Sequence, residues 1–242
     1  MNNHYKKIAD EFNNVWKFSD NYKKWAVERI GHILNLNIKD ILVDVGGGTG
    51  TFSNLIYKEF IPNKVYCIEP EHSMCAIAKK YTNIETICCD TYYFINTLKY
   101  NYNKILFKEV IHHIDDRNKL WSNIYNSIGK NGQILIYTRP KEIRFPLFEK
   151  AKRAFYKNQP SEEMIVSELN NNGFKTKIFI ESFTFKLSKK EWHAMIKAKF
   201  MSDLSIFSEQ ELIKGIEEVE SKYCVNNFYY IEDKIIFINA YK

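Results

Sequence analysis

The chain has 242 residues, 45% of them hydrophobic and 26% charged, which excludes a disordered or fibrous protein. Its 35 basic and 29 acidic side chains leave a net charge of +6, which permits an anionic partner without requiring one. No apolar run reaches the roughly 18 residues that span a bilayer. The N-terminus has no apolar signal core. We therefore expect a cytoplasmic protein.

The predicted elements begin with a helix, because apolar residues between Tyr22 and Leu34 recur at helical spacing. Strand-like and helix-like segments then alternate, which predicts βαβ units and a parallel sheet. The predicted strands are 41–45, 64–69, 84–89, 103–107 and 133–138. The predicted helices between them are 51–60, 71–81, 91–98 and 115–128.

The C-terminal part follows a different pattern. A helix at 161–171, a strand at 174–186, a helical block at 189–221 and a last strand at 234–241 predict an antiparallel edge on the parallel sheet. We expect one α/β domain over 1–242. Within it we expect an N-terminal helical segment at 1–38, a ligand-binding core at 40–140 and a helical insertion at 188–222.

The N-terminal segment is rich in aromatic residues, including Trp16 and Tyr22. Core packing explains most such rings. The alternative is a lid whose rings exclude water and face a bound substrate.

The five cysteines, at positions 67, 75, 88, 89 and 224, contain no Cys-x-x-Cys pair. The adjacent Cys88 and Cys89 are typical of the two faces of a strand. This arrangement favours neither a disulfide framework nor a zinc site. We expect reduced thiols and no bound metal.

The most informative segment is Val43-Asp-Val-Gly-Gly-Gly-Thr-Gly50. Glycines directly after a strand let a ligand approach the backbone at the start of the next helix. The spacing fits neither the phosphate loop nor the dinucleotide fingerprint. Asp44, two residues before the first glycine, would repel a pyrophosphate and suits a ligand with a cationic amino group.

Two more acids follow the next two predicted strands. Glu69 ends the second strand, 19 residues after Gly50, where an acid binds ribose hydroxyls in doubly wound folds. Asp90 ends the third strand, where it could accept a hydrogen bond from a purine amine or merely cap the helix that starts at Thr91. Together with Asp44 they describe a pocket for ribose, adenine and a positively charged tail.

Residues 40–140 resemble the class I S-adenosylmethionine (SAM)-dependent methyltransferases, and more closely their small-molecule branch, which includes enzymes acting on quinone precursors and on trans-aconitate. The segments that carry the resemblance are Asp44-Val-Gly-Gly-Gly-Thr-Gly50, Cys67-Ile-Glu-Pro70, Cys88-Cys-Asp-Thr91, Phe107-Lys-Glu-Val-Ile-His-His-Ile114 and Lys130-Asn-Gly-Gln-Ile-Leu-Ile136.

The resemblance implies a Rossmann-like, doubly wound, seven-stranded and mostly parallel sheet. It also implies SAM as cofactor, with S-adenosylhomocysteine as product. The glycine loop would lie along the methionine part of SAM, Glu69 would bind the ribose and Asp90 the adenine amine. The predicted cofactor-binding residues are Asp44, Gly46, Gly47, Gly48, Gly50, Glu69, Pro70, Asp90, Thr91 and Lys108.

Three polar residues follow the fourth and fifth strands, at the sheet edge where ligands bind. His112 or His113 could serve as a general base, since imidazole titrates near neutral pH; packing and backbone hydrogen bonds are the alternative. Arg139 could bind a carboxylate or phosphate of a substrate, or pair with Glu142. We take His113 and His112 as catalytic candidates, and Trp16, Tyr22 and Arg139 as substrate candidates.

The sequence thus predicts an enzyme that transfers a methyl group from SAM to an O, N or S atom of a small molecule, mainly by positioning and water exclusion. A nucleic-acid methyltransferase is the first alternative, although the segment after Phe107 lacks the Asp/Asn-Pro-Pro-aromatic signature and no Pro-Cys pair is present. A SAM-binding partner without catalysis is the second. The acceptor and the oligomeric state are not predicted.

Overall fold

The computed structural model describes residues 19–97 and 101–242, so Trp16 lies outside the described residues. The helices are α1 (Asp20–Leu34), α2 (Thr51–Phe60), α3 (His72–Ala78), α4 (Thr91–Thr97), α5 (Arg117–Ser127), α6 (Glu149–Asn158), α7 (Glu162–Asn171), α8 (Lys189–Lys197) and α9 (Glu209–Tyr223). The strands are β1 (Ile41–Val45), β2 (Lys64–Ile68), β3 (Glu85–Ile87), β4 (Lys104–Lys108), β5 (Gln133–Thr138), β6 (Lys175–Ser188) and β7 (Phe228–Tyr241). Short 3₁₀ turns occupy Ile111–His113 and Ser202–Leu204.

The strands form one seven-stranded sheet in the order β3-β2-β1-β4-β5-β7-β6. The first five pair in parallel, and β7 runs antiparallel to β5. This confirms the predicted Rossmann-like sheet with its antiparallel edge. The chain order reverses between β1 and β4, and in open α/β sheets ligands bind in the crevice at this point.

The sheet buries different side chains on its two faces, because successive residues of a strand point to opposite sides. Phe107 and Ile136 belong to a core cluster that includes Trp121 of α5. The alternating residues of β4 lie on the other face, where the Lys104 ammonium donates a hydrogen bond to the Leu34 carbonyl at the end of α1, at 2.7 Å. Lys108 of β4 and Tyr137 of β5 alternate with these core residues and therefore lie on the α1 face.

The chain divides into two compact units. The sheet unit comprises the described residues up to Thr138, together with 160–179 and 236–242, and the second unit comprises 139–159 and 180–235. Each has its own hydrophobic cluster, around Trp121 in the sheet unit and around Trp192 in the second. The strands β6 and β7 contribute residues to both units. The single-domain boundary over 1–242 stays a prediction.

Several elements differ from the sequence-based expectation. Helix α6 is not predicted, because it buries only Ala151 and Phe155 and has no side-chain cap at Phe148. The helical block 189–221 is two helices, α8 and α9, separated by the 3₁₀ turn. Strand β7 begins at Phe228 and not at 234, and it carries a buried Asp233 that the hydrophobic pattern does not favour.

The expectation of reduced thiols is wrong for one pair. The structure joins Cys75 of α3 and Cys88, just after β3, as a disulfide. Their separation of 13 residues fits no short motif, and the bond depends on α3 packing beside β3. Cys67, Cys89 and Cys224 are free.

None of the described helices combines the length and the apolar character that a bilayer crossing requires. Within the described residues, no three potential His, Cys, Asp or Glu ligands cluster in a way that could hold a metal ion.

Candidate functional site

The glycine loop connects β1 to α2 and leaves one side open. Gly46, Gly48 and Gly50 adopt positive φ angles of 67°, 58° and 74°. A Cβ atom at Gly47 would lie 2.5 Å from the Cys67 sulfur, whereas a Cβ atom at Gly48 would meet nothing within 4 Å. Gly47 is thus required for internal packing, and Gly48 presents bare backbone to a space that a ligand can enter.

Asp44 lies on β1 directly below the loop and is only 2% exposed. Its carboxylate accepts a hydrogen bond from the Ser53 hydroxyl at 2.5 Å. Burial raises the pKa of Asp44 to about 6, although the Ser53 hydrogen bond and the charge of Lys108 act in the opposite direction. A cationic ligand beside this carboxylate would favour its ionised form.

Glu69 joins the end of β2 to the loop. Its Oε2 accepts a hydrogen bond from the Gly48 amide and its Oε1 one from the Glu71 amide, each at 2.9 Å. Burial raises the pKa of Glu69, and these two backbone hydrogen bonds oppose the shift. The carboxylate therefore lies against the open Gly48, with Pro70 next in the chain.

Asp90 follows β3 and caps the next helix. Its carboxylate accepts a hydrogen bond from the Tyr93 amide at 2.9 Å, in the first turn of α4, which begins at Thr91. This is the capping role that the sequence left open. A contact with adenine stays a prediction for Asp90, as a cofactor contact does for Thr91.

Lys108 ends β4 on the α1 face of the sheet. Its ammonium lies 4.0 Å from the ring centre of Phe52 and 5.0 Å from that of Tyr137. The Tyr137 hydroxyl is hydrogen-bonded to the Tyr22 hydroxyl at 2.7 Å. Tyr22 is 1% exposed. Its predicted contact with a substrate stays a prediction, and the observed contact is with Tyr137.

His112 and His113 occupy the 3₁₀ turn that follows β4. Their ring centres are 4.0 Å apart. His112 is half-buried and His113 is exposed. The turn places both rings just beyond the carboxyl end of β4, and their catalytic role stays a prediction.

Arg139 belongs to the second unit, where its side chain is 2% exposed. Its Nε and Nη2 atoms donate hydrogen bonds to the two carboxylate oxygens of Asp233 at 2.7 and 2.8 Å. The carboxylate that pairs with Arg139 is therefore Asp233, distant in sequence, and not the neighbouring Glu142. Contact with a substrate stays a prediction for this residue.

Sequence reasoning missed several residues of the site. Ser53 could have been found as a hydroxyl one turn into the helix after the loop. Phe52 and Tyr137 carry no such signal, because a ring at a strand end or a helix start is most simply explained by core packing. Only the three-dimensional arrangement around Lys108 identifies them.

Residues 43–136 match a protein-family model described as a methyltransferase domain. No curated protein matches the sequence significantly. The matched segment contains the glycine loop, Glu69, Asp90, Lys108 and both histidines.

Solved structures share the fold at low identity. A protein assigned as a methyltransferase of an antibiotic biosynthesis pathway in Anabaena variabilis has a TM-score of 0.66 and 18% identity, over 90% of this chain and 97% of that one. The cyclopropane synthase MmaA2 of Mycobacterium tuberculosis has a TM-score of 0.64 and 13% identity, over 100% and 96%.

A third structure contains the demethylated cofactor. It is a phosphoethanolamine N-methyltransferase of Haemonchus contortus in complex with phosphomonomethylethanolamine and S-adenosylhomocysteine, with a TM-score of 0.60 and 17% identity, over 97% of this chain and 57% of that one. The family match assigns a methyltransferase domain to residues 43–136, and these solved structures share the Rossmann-like fold of the chain.

Proposed function

We propose that this enzyme methylates an O, N or S atom of a small molecule, mainly by positioning the acceptor and excluding water. The observation that carries the proposal is the hydrogen bond between Glu69 and the open Gly48, above the buried Asp44. This arrangement offers acceptors for ligand hydroxyl groups and a buried carboxyl group that can carry a negative charge.

The residues present fit SAM. Glu69 would accept hydrogen bonds from the ribose hydroxyls, Gly48 would allow the backbone to contact the methionine part, and Asp44 would face its amino group. Pro70, Asp90 and Thr91 would contact the adenosine half. SAM supplies a methyl group activated on a sulfonium.

The chain's own contribution to the reaction is geometric. Holding the acceptor in line with the methyl group replaces a bimolecular encounter by an oriented one. In well-oriented model reactions this lowers the activation barrier by about 7–11 kcal/mol. His112 or His113 would take a proton only if the acceptor arrives protonated. An amine or an ionised oxygen would need no base.

Small-molecule acceptors are supported by the neighbouring structures. The Haemonchus enzyme holds phosphomonomethylethanolamine, and the Anabaena protein is assigned to antibiotic biosynthesis. Both are only 17–18% identical to this chain, so the acceptor's identity is not transferred. Nucleic-acid methylation and cofactor binding without catalysis are the alternatives, and a cytoplasmic location stays a prediction.

A direct test is a screen of small acids, amines, thiols and phenols for release of S-adenosylhomocysteine. We expect turnover with one of these classes and none with RNA. Binding of SAM without turnover of any acceptor would favour the non-catalytic alternative. Steeply salt-dependent RNA binding with methylation would favour the nucleic-acid alternative.

A further inference from the structure

Lys108 occupies the point of the sheet where the strand order reverses. Its neighbour Phe107 pairs with Val45, the last residue of β1, so Lys108 lies beside the start of the glycine loop. On its other side Lys108 pairs in register with Tyr137 of β5. A ligand in the crevice of such a sheet therefore passes close to this ammonium group.

Aromatic rings fix the position of the ammonium. The faces of Phe52 and Tyr137 lie 4.0 and 5.0 Å from it. Tyr137 is itself held by its hydrogen bond with Tyr22 and by an edge-on contact with Phe237, with ring centres 5.0 Å apart. A lysine that stacks on the buried Tyr137 ring and the half-buried Phe52 ring presents its charge at a defined place.

The charge of Lys108 does not suit the cofactor's methyl donor. The sulfonium and amino groups of SAM are positive, and like charges in a partly buried site repel. Asp44 is the acid proposed to match the amino group, and Glu69 is proposed to bind the ribose hydroxyls. A cation on the β4 side of the crevice instead favours a negative group on the second reactant, which would also be attracted by the sulfonium.

We propose that Lys108 determines acceptor specificity by binding a carboxylate or phosphate group of the acceptor, and hence that the acceptor is a small organic anion. This inference rests on the proposed methyl transfer. In that transfer the lone pair of the acceptor atom forms a bond to the methyl carbon. The carbon–sulfur bond breaks, and its electron pair stays on sulfur. The anionic group bound by Lys108 need not be the methylated atom.

The inference changes the role predicted for Lys108 from the sequence, which is a cofactor contact. The carboxylate of the methionine part of SAM is the anion that such a contact would involve. The two assignments predict different results for a Lys108 variant. A cofactor contact requires loss of SAM affinity, whereas an acceptor contact requires loss of anion preference at unchanged SAM affinity.

The test uses the full chain and matched pairs of probes. The pairs are 3-phenylpropanoate with 3-phenylpropanamide, and phenyl phosphate with phenol, titrated by calorimetry into the protein with and without S-adenosylhomocysteine. The variants are Lys108→Gln, which removes the charge, and Lys108→Arg, which keeps it. Lys58→Gln, an exposed lysine of α2, is the matched control.

For wild type we expect the anion of at least one pair to bind about tenfold more tightly than its neutral partner, since a charge-assisted hydrogen bond contributes that much. Lys108→Gln should lose this preference, and Lys108→Arg and Lys58→Gln should keep it. The affinity for SAM should be the same in all four proteins. The two pairs distinguish a carboxylate from a phosphate.

Three outcomes would overturn the inference: an anion preference retained by Lys108→Gln, a loss of SAM affinity in that variant, or no anion preference in the wild type. Failure of the proposed function can be distinguished from failure of this inference, because the wild-type protein would then not bind SAM. In that case the titrations without S-adenosylhomocysteine still test Lys108.

Discussion

The Glu69 carboxylate accepts a hydrogen bond from the amide of Gly48, 21 positions earlier in the chain, at 2.9 Å. This contact ties the end of β2 to the glycine loop and keeps an acid beside bare backbone. Burial raises the pKa of Glu69. The hydrogen bond holds the Glu69 carboxylate beside the open Gly48, where hydroxyl groups of a ligand can reach it. The proposed cofactor site depends on this arrangement.

Binding of SAM should depend on pH through Asp44. The pKa of Asp44 is raised to about 6 in the ligand-free protein, because the carboxyl group is buried. A cationic amino group beside it stabilises the ionised form, so binding should release a proton. Affinity for SAM should rise about tenfold from pH 5 to pH 7. Calorimetry in two buffers of different ionisation enthalpy measures the proton release.

Asp44→Asn supplies the control for that prediction. The amide can still accept the Ser53 hydrogen bond but carries no charge, so SAM should bind weakly and without pH dependence between 5 and 7. The pKa of Asp44 is higher in the folded protein than in the unfolded chain, so the free energy of unfolding of wild type falls as the pH rises from about 4 to 6. Asp44→Asn does not lose this free energy and should therefore melt at a higher temperature than wild type at pH 7. Equal SAM affinity of the wild type at pH 5 and pH 7 would refute the assignment.

His113 or His112 should contribute more to acceptor handling than to folding. A general base there would accelerate the reaction by about 10²–10⁴-fold. We expect His113→Gln or His112→Gln to lower turnover at unchanged melting temperature and SAM affinity, with a flatter acidic limb of the pH profile. Wild-type turnover per folded molecule in both variants would show that neither imidazole is catalytic.

The Cys75–Cys88 disulfide should stabilise the sheet unit. It closes a loop of 13 residues, for which the chain-entropy model gives about 3 kcal/mol. Reductant or Cys75→Ser should therefore lower the melting temperature, and mass spectrometry of the untreated protein should find the bond. Cys224→Ser, a free cysteine, is the control. A wild-type melting curve that reductant leaves unchanged would count against the disulfide.

The buried pair of Arg139 and Asp233 should be required for stability of the second unit. Removing one partner leaves a buried charge uncompensated, which costs about 3–5 kcal/mol. Arg139→Met and Asp233→Asn should each unfold at lower denaturant concentration, and Arg139→Met with Asp233→Leu should recover part of the loss. If the single variants unfold like wild type and Arg139→Met lacks only turnover, Arg139 is a substrate residue.

The sheet and the glycine loop could be predicted because local patterns determine them. Strand β1, helix α2 and strand β5 lie within the predicted boundaries, since each is a continuous apolar or amphipathic run between clear turn residues. The second unit was harder to predict. Taken alone, the charge of Asp233 predicts a break in the strand. Its partner Arg139 is 94 positions away in the chain, so local sequence does not show that this charge is paired.

The residues of the candidate site also differ in whether the sequence predicts them. Asp44 and Glu69 could be found from their positions at strand ends, because parallel strands bring those ends to one edge. The rings around Lys108 and the disulfide of Cys75 could not be found, since they depend on which helix packs beside which strand. Side-chain contacts between distant elements are not encoded in local spacing.

The most direct test of the account is calorimetric titration of SAM into wild type and Glu69→Ala, with Glu59→Ala, an exposed acid of α2, as control. Losing the acceptor for the ribose hydroxyls costs about 1–3 kcal/mol, which is about 5- to 150-fold in affinity. We therefore expect wild type and Glu59→Ala to bind SAM equally and Glu69→Ala to bind it more weakly by that factor. Absence of SAM binding by wild type, or equal affinity in all three proteins, would contradict the account.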